Sequence, residues 1–414
     1  MKCRHCAAPV TLPLVDLGTA PPSNAYLDAA ALHHPERWFP LRVLVCEQCW
    51  LAQTEDFAQV DDLFSANYAY FSSFSSTWLA HAQAYVETMV RRWGLNQHSK
   101  VVEIAANDGY LLQYVAQSGI PCLGVEPTGS TAAAARAKGL TVVEQFFGTA
   151  LARELASQGH SADLMVANNV LAHVPDINDF VAGFATLLKP SGVATFEFPH
   201  LLQLVEQSQF DTIYHEHFSY LSLTAVQRIF ATNGLAVFDV EELPTHGGSL
   251  RVYAQRKDCS LHPNQCSVAS MLTREANAGL CNPRYYEGLQ AHTLRIKREL
   301  LTFLLQAQAQ GRKVAAYGAA AKGNTLLNFA GIRPDLLPYV VDRNPAKQGR
   351  YLPGSRIPIV EEERLRADRP DIVLVLPWNL HTEVAQQLDY IQEWGGQLAV
   401  AIPQFTLLNK VAPE

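Results

Sequence analysis

The chain has 414 residues, 48% hydrophobic and 17% charged, with a formal net charge of −7 and a pI near 6.1. That length exceeds one ordinary core and predicts two or three domains. No Lys/Arg block of the kind that follows a phosphate backbone is present, which argues against a nucleic-acid partner. The N-terminal MKCRHCAAPV has no apolar signal core and no run is apolar enough to span a bilayer, so a soluble cytoplasmic protein without a membrane partner is expected.

Two Cys-x-x-Cys pairs open the chain, Cys3 with Cys6 and Cys46 with Cys49. Each turn presents two thiolates to one ion, and two such turns complete a tetrahedral S4 site that suits zinc better than iron. Four protein ligands leave no open position, so the metal is expected to be structural, in a small lid. A redox Cys-x-x-Cys is the competing reading. Residues 7 to 45, including Pro21-Pro22-Ser23-Asn24-Ala25, are expected to form an ordered excursion packed on the next domain. His5, His33 and His34 are spare candidate ligands, read as surface residues. Cys122, Cys259, Cys266 and Cys281 are irregularly spaced and read as free thiols, since disulfides are rare in an intracellular chain.

From Val101 the pattern alternates strand and helix. A strand over 101–104 runs into the small-residue turn Ala105-Ala106-Asn107-Asp108-Gly109, and a helix opens at Tyr110. Small residues let the backbone approach a ligand at the carboxyl end of a strand, which makes Glu103, Ala105, Asn107 and Gly109 candidate cofactor residues. A second strand, 122–125, ends on Glu126, whose carboxylate is placed to accept ribose hydroxyl protons; a surface glutamate is the plain alternative. A helix over 131–138, a strand over 141–143 and Phe146-Phe147 follow. A flat ring such as Phe147 could sandwich an adenine or pack in the core. Strands over 163–167, leading to Asn168, and over 192–198 complete a doubly wound α/β sheet.

Tyr214-His215-Glu216-His217-Phe218-Ser219-Tyr220 holds two imidazoles, a carboxylate and two phenols. Read as a helix start, it puts Tyr214 and His217 on one face, and Glu216 and Tyr220 likewise. A neutral imidazole near pH 7 makes His217 a suitable general base. The bland reading is a polar helix start whose histidines cap or pack. A His-x-His metal site lacks an evident third ligand.

At this point the chain resembles a family. The pattern ExxxNDG from Glu103, Gly124-Val125-Glu126-Pro127, the run ANNVLAHVPD over 167–176 and YHEHFSYLS over 214–222 resemble the nucleotide-sugar C-methyltransferases. Residues 67–73, with Trp78 and His81, resemble that family's linker, so the likeness covers nearly the whole chain. Ala105 and Ala106 stand where such loops often carry Gly or Ser, and Trp50 stands where a small residue is common. The resemblance implies an S-adenosylmethionine (SAM)-dependent enzyme acting on a 4-keto-6-deoxysugar carried by a nucleoside diphosphate, usually TDP. Carbon methylation beside a ketone needs a base, a donor to the enolate oxygen and an aligned methyl. The family's base falls on His217. Tyr214 would donate to the enolate, and Glu216 would orient the base or bind a sugar hydroxyl. His173 and Tyr68 match further active-site positions and are read as sugar-positioning groups that could also move a proton. The stretch from His246 to Arg251 faces the substrate in the family, so Arg251 is a candidate phosphate partner, with a salt bridge as the alternative.

Strands over 313–317, 339–342, 371–376 and 397–402 predict a second Rossmann-like unit, reached through a helical stretch over 284–310. Its small-residue loop after Tyr317 enters a helix whose N-terminus suits a diphosphate, with Lys322 adding a charge. Asp342 keeps NAD open as a rival ligand, although GxxxxGN fits neither GxGxxG nor a P-loop. In the family this domain holds the nucleotide sugar, and Pro377-Trp378-Asn379 resembles its nucleotide-contacting loop, which makes Trp378 and Asn379 candidates. The expected architecture is α/β in three parts: a zinc-binding module over 1–66, a Rossmann-like SAM-dependent methyltransferase domain over 67–258 and a C-terminal nucleotide-sugar domain over 259–414, working as a monomer. The expected reaction is methylation at C3 of an NDP-4-keto-6-deoxysugar. A SAM-dependent O- or N-methyltransferase and a non-enzymatic zinc- and nucleotide-binding regulator are the rivals.

Overall fold

The computed structural model describes residues 1–55, 57, 71–259 and 261–408. The N-terminal module contributes β1 (Leu12–Ala20), β2 (Phe39–Val45) and β3 (Ala52–Thr54). The central unit contributes β4 (Val101–Ile104), β5 (Cys122–Val125), β6 (Val142–Val143), β7 (Ala162–Asn168), β8 (Leu188–Pro199), β9 (Ser219–Tyr220), β10 (Leu235–Leu243) and β11 (Ser249–Arg256). The C-terminal unit contributes β12 (Val314–Tyr317), β13 (Val340–Val341), β14 (Ile359–Val360), β15 (Ile372–Val375), β16 (Gln397–Val400) and β17 (Thr406–Leu408).

The central sheet has the order β10-β11-β8-β7-β4-β5-β6. Strands β4 to β8 run parallel, while β11 is antiparallel to both its neighbours. Strand β4 is buried at every position, as a parallel strand covered on both faces must be. The chain steps outward on one side of β4 and then on the other, so a topological switch point lies between β4 and β7. Doubly wound sheets bind ligands at the carboxyl ends of the strands there. Helix Ser76–Trp93 packs on this sheet. Ser75 caps it by accepting the Trp78 N–H at 3.2 Å, and Gly94 ends it at a φ of 61°. Its buried Ala82, Tyr85, Val86 and Met89 form one stripe.

The C-terminal sheet has the order β14-β13-β12-β15-β16-β17, with only β17 antiparallel. Its switch point, between β12 and β15, brings the loop after Tyr317 beside Trp378 and Asn379. Helix Leu289–Ala309 packs against β1 and against helix Ala321–Ala330.

Two expectations need correction. First, the zinc-binding module is a wedge, not a lid. Its sheet takes its fourth strand, β9, from the central unit, pairing Ala52 with Tyr220 and Gln53 with Ser219. Cys3, Cys46 and Leu51 share a core with Phe180, Phe184 and Val226, whereas Leu14, Val43 and Val45 share one with Ile296, Leu300 and Leu326. The excursion between the cysteine pairs is ordered, but it lies mainly on the C-terminal unit. Leu27 bridges to Tyr351, the Tyr26 hydroxyl donates to the Ala319 carbonyl at 2.6 Å, and Arg356 pairs with Glu36 at 2.8 Å. Second, residues 213–218 are not a helix start. The His217 N–H closes a turn onto the Tyr214 carbonyl at 2.9 Å, and the helix begins only at Leu223, capped by Ser222. The reason is β3, which recruits Ser219 and Tyr220 as a strand and forces extended backbone just past His217. Helix Cys266–Ala278, which follows the expected division at residue 258, buries Val268 and Met271 in the central core. The expected division at 66/67 lies outside the described residues. No helix among the described residues is long and apolar enough to cross a membrane.

Candidate active site and metal centre

The four cysteines of the N-terminal pairs converge, with all four Sγ atoms within 4.8 Å of one another. Cys3 and Cys49 lie 3.5 Å apart, as do Cys6 and Cys46. Disulfide sulfurs sit about 2.05 Å apart. Zinc–sulfur bonds of about 2.3 Å in a tetrahedron separate the sulfurs by about 3.8 Å, so this donor set fits zinc. The two turns are built alike. Ala7 and Trp50 donate to the carbonyls of Cys3 and Cys46 at 2.9 and 2.8 Å, and both take a positive φ, 59° and 63°. Trp50 is tolerated because its ring leaves the turn and stacks on Tyr286 at 6.3 Å. His5 is not near ligation: its Nδ1 meets the Asn178 side chain at 2.8 Å.

At the β4/β7 switch point lies a cavity of about 520 Å³. Ala105, Asn107, Glu126, Phe147, Asn168 and His173 line it, with Trp78, Phe146 and His246. The Glu126 oxygens accept the N–H groups of Asn107 and Thr128, each at 2.9 Å, which pins the loop and leaves lone pairs for a diol. Ala105 and Asn107 hold φ values of 56° and 50°, left-handed backbone that costs a side chain free energy and is typically found at ligand-binding turns. Gly109, at 77°, has no room for a Cβ, which would meet the Leu140 side chain. Asn168 supplies the test of fit. Its Oδ1 and Nδ2 are buried without a partner, as expected of groups that a polar ligand satisfies. A largely apolar cleft with a few convergent polar groups fits SAM. Phe147 also packs edge-on against Phe180 and Phe184 at 5.7 and 5.4 Å, while Phe146 stays exposed at the rim. Glu103 lies apart from this wall. It is wholly buried in β4, and burial holds its carboxyl well above the ordinary carboxylate range.

His217 sits beside that cavity. Its ring is 4.0 Å from that of Tyr214 and 4.6 Å from that of His173, centroid to centroid. Its Nδ1 pairs with the Thr212 carbonyl at 2.9 Å, which makes Nδ1 the protonated nitrogen of the neutral ring and leaves Nε2 as the acceptor. Burial, then the neighbouring His173, keeps its pKa well below the ordinary value. Burial likewise lowers His173 and His246 to about 4. Glu216 does not orient the base. Both its oxygens accept from the Asn24 amide, at 2.9 and 2.7 Å, and burial raises it to about 7. His215 bonds backbone carbonyls of Phe39 and Pro40. Tyr68 lies outside the described residues.

From the C-terminal switch point Lys322 reaches the same place. Its Nζ donates to Asn379 Oδ1 at 2.9 Å and lies 4.7 Å over the Trp378 ring, whose Nε1 donates to Asp211 at 2.8 Å. Burial lowers Lys322 to about 8, against the opposing pull of Asp211, and its charge is felt at His217 and His246. Arg251 is not in this group. It is buried between Glu197 at 3.0 Å and Glu241 at 3.2 Å, over the Tyr85 ring. Asp342 is also engaged, accepting from the N–H groups of Ala319 and Asn344 at 2.8 Å each, beside Lys347. The structure adds Asn24, Asp211 and Thr212 to the site, and within the substrate-facing stretch it singles out His246. Only His246 carried a signal: it precedes two glycines, and the turn forces it to a φ of 56°.

The chain is 34% identical over 403 residues to the C-methyltransferase NovU of Streptomyces niveus, covering 97% of this chain and 96% of that protein. The chain belongs to the C-methyltransferase family. Family models agree in register: a zinc-binding domain matches residues 3–64, a methyltransferase domain 78–240 and a C-methyltransferase C-terminal domain 244–403. Solved structures match less than half of the chain. Magnesium protoporphyrin IX methyltransferase of Synechocystis, with bound SAH, is 18% identical, covering 43% of this chain and 83% of that one, with a TM-score of 0.35. A SAM-dependent methyltransferase of Clostridium acetobutylicum is 11% identical, covering 43% and 92%, also with a TM-score of 0.35. The protein is thus a SAM-dependent C-methyltransferase with a zinc-binding N-terminal domain.

Proposed function

We propose that this enzyme methylates C3 of an NDP-4-keto-6-deoxysugar, TDP-linked, with His217 as the base. The observation that carries the reading is the meeting of His217, Tyr214 and His173 with Lys322, Trp378 and Asn379 at the junction of two switch points. One side offers a donor cavity, and the other offers a cation and an indole suited to a diphosphate and a base.

SAM, when bound, supplies an electrophilic methyl group on sulfur. Glu126 and Asn168 bind its polar ends from the cavity wall. His217 Nε2 takes the proton from the carbon beside the ketone, and the Thr212 carbonyl holds Nδ1–H so that the ring stays aimed. Tyr214 donates to the enolate oxygen. His173, on the cavity wall beside His217, would orient the sugar. Lys322 and Asn379 hold the diphosphate, and Trp378 takes the nucleobase. Arg251 keeps a structural role in this scheme, consistent with its two carboxylate partners, the buried Glu197 and the part-exposed Glu241. In this reading the central unit extends through helix Cys266–Ala278, whose Val268 and Met271 pack in its core.

The test is incubation with SAM and TDP-4-keto-6-deoxysugars, with His217→Ala alongside. Gain of one methyl, seen by NMR as a singlet on a carbon without its own proton at C3, and near-complete loss in the variant are expected. A methyl at C5, or turnover that survives in the variant, would overturn the regiochemistry or the base respectively. A substrate set of keto sugars that all remain unmethylated would remove the substrate assignment.

A further inference from the structure

The zinc-binding module does more than dock beside the active site. The main chain that carries His217 is tied to it at consecutive points. Thr54, the last residue of β3, donates its hydroxyl to the His217 carbonyl at 3.1 Å and its N–H to the Phe218 carbonyl at 3.2 Å. Arg4, inside the first cysteine turn, donates from Nε to that same Phe218 carbonyl at 3.2 Å and from Nη2 to the Thr54 carbonyl at 3.0 Å. Its guanidinium lies 4.8 Å over the Phe218 ring. Gln53 closes the path to the metal ligands: its Oε1 accepts the Arg4 N–H at 3.0 Å, and its Nε2 meets Cys3 Sγ at 3.4 Å. Gln53 and Thr54 are buried.

Docking alone would need only the pairing of β3 with β9, which involves Ala52, Gln53, Ser219 and Tyr220. The bonds from the Thr54 hydroxyl and the Arg4 side chain lie beyond that ladder, at the two residues where the base leaves the strand. The imidazole is fixed at its far end by the Thr212 carbonyl. Its main chain is fixed by Thr54.

We infer that Thr54 is a positioning residue for His217, so that the metal-bound turn sets the geometry of proton abstraction. The inference rests on the reading of His217 as the base. Proton transfer from carbon is sensitive to small displacements of the base. A tether lost from one end of His217 therefore slows that step while leaving donor binding and the metal in place.

The experiment uses the zinc-loaded enzyme with Thr54→Val and Thr54→Ser. Three quantities are read: zinc per chain by atomic emission, SAM affinity by calorimetry, and exchange of the C3 proton of a TDP-4-keto-6-deoxysugar in heavy water with SAH in place of SAM. In that exchange the C3–H bond breaks onto His217, the ring trades its proton with solvent, and a deuteron returns to the enolate. Thr54→Val should keep its zinc and its SAM affinity, and should lose about tenfold in both exchange rate and kcat at unchanged KM. Thr54→Ser, which keeps the hydroxyl, should restore both. Exchange at the native rate in Thr54→Val overturns the inference, as does a loss confined to KM, a failure of serine to rescue, or loss of zinc from the valine variant. Absence of exchange in the native enzyme would instead sink the C3 reading itself, and the inference with it.

Discussion

Replacing Lys322 with methionine separates binding from chemistry. The ammonium is largely buried, bonded to Asn379 at 2.9 Å and set 4.7 Å over Trp378, so methionine preserves the packing and removes the charge. Removing one partner of a buried, hydrogen-bonded charge pair costs about 2–5 kcal/mol. At about 1.4 kcal/mol per tenfold, the lower end is a rise of about 30-fold in KM for a diphosphate-linked sugar. Two pH signatures accompany it. Burial lowers Lys322 to about 8, so the native enzyme should lose kcat/KM as pH rises through about 8 and the cation is discharged; the variant should lack that limb. Lys322 is also one of the charges that, after burial and His173, lower His217, so its removal should move the acid limb upward, toward the ordinary imidazole value. Steady-state methylation across pH, for native enzyme and variant, reads all three. A variant with native KM and a reduced kcat, or one that keeps the limb near pH 8, would refute the diphosphate assignment.

Asn168→Leu should weaken SAM binding by about tenfold without destabilising the ligand-free protein, because the native amide is buried without partners. Calorimetry and melting with and without SAM check this; a lower ligand-free Tm would contradict it. Cys46→Ser should abolish the single equivalent of zinc and lower the Tm of the whole chain, since Cys46 shares a core with Phe180 and Phe184; an unchanged melting curve would show the metal to be dispensable. The acid limb of native kcat/KM should fall below pH 6.5, because a base whose pKa is lowered stays unprotonated further into acid. A limb at or above 6.5 would mean that another group is being titrated.

The two parallel sheets were legible because their strands are short apolar runs ending on small-residue loops, and the cysteine spacing alone specified a tetrahedral cluster. What failed was every inference needing knowledge of a distant strand. Residues 214–220 carry helix-compatible spacing, yet β3, from the start of the chain, makes part of them a strand. Glu216 was paired on paper with the base next to it, but its partner is Asn24, almost two hundred residues away in sequence. For Arg251 the sequence left phosphate and a salt bridge open, and the salt bridge is formed because strand pairing within the sheet brings Glu197 and Glu241 to it. Asp211 has no local signature at all; its significance comes from Trp378 and Lys322. Local period and spacing reveal elements, whereas ion pairs between elements depend on register.

A base kept neutral by burial is also a weak base, and this tension bears on how the substrate participates. Each unit by which His217 lies below its ordinary value removes up to about 1.36 kcal/mol of driving force for proton abstraction. One well-placed donor to an enolate oxygen returns about 2.7–4 kcal/mol against that loss. Because burial keeps His173 and His246 neutral, the field left to act on His217 is that of the Lys322 charge, which opposes its protonation. A bound diphosphate beside Lys322 would cancel part of that field and raise the basicity of His217 when substrate arrives. The nucleotide would then act on chemistry as well as on affinity, as remote binding groups commonly do. A 4-keto-6-deoxysugar lacking its nucleoside diphosphate should therefore show a lower kcat, not only a higher KM, and its proton exchange at saturation should show a more acidic base limb than the intact substrate does. Equal kcat for both substrates at saturation would mean that the diphosphate only binds, and that His217 attains its basicity without it.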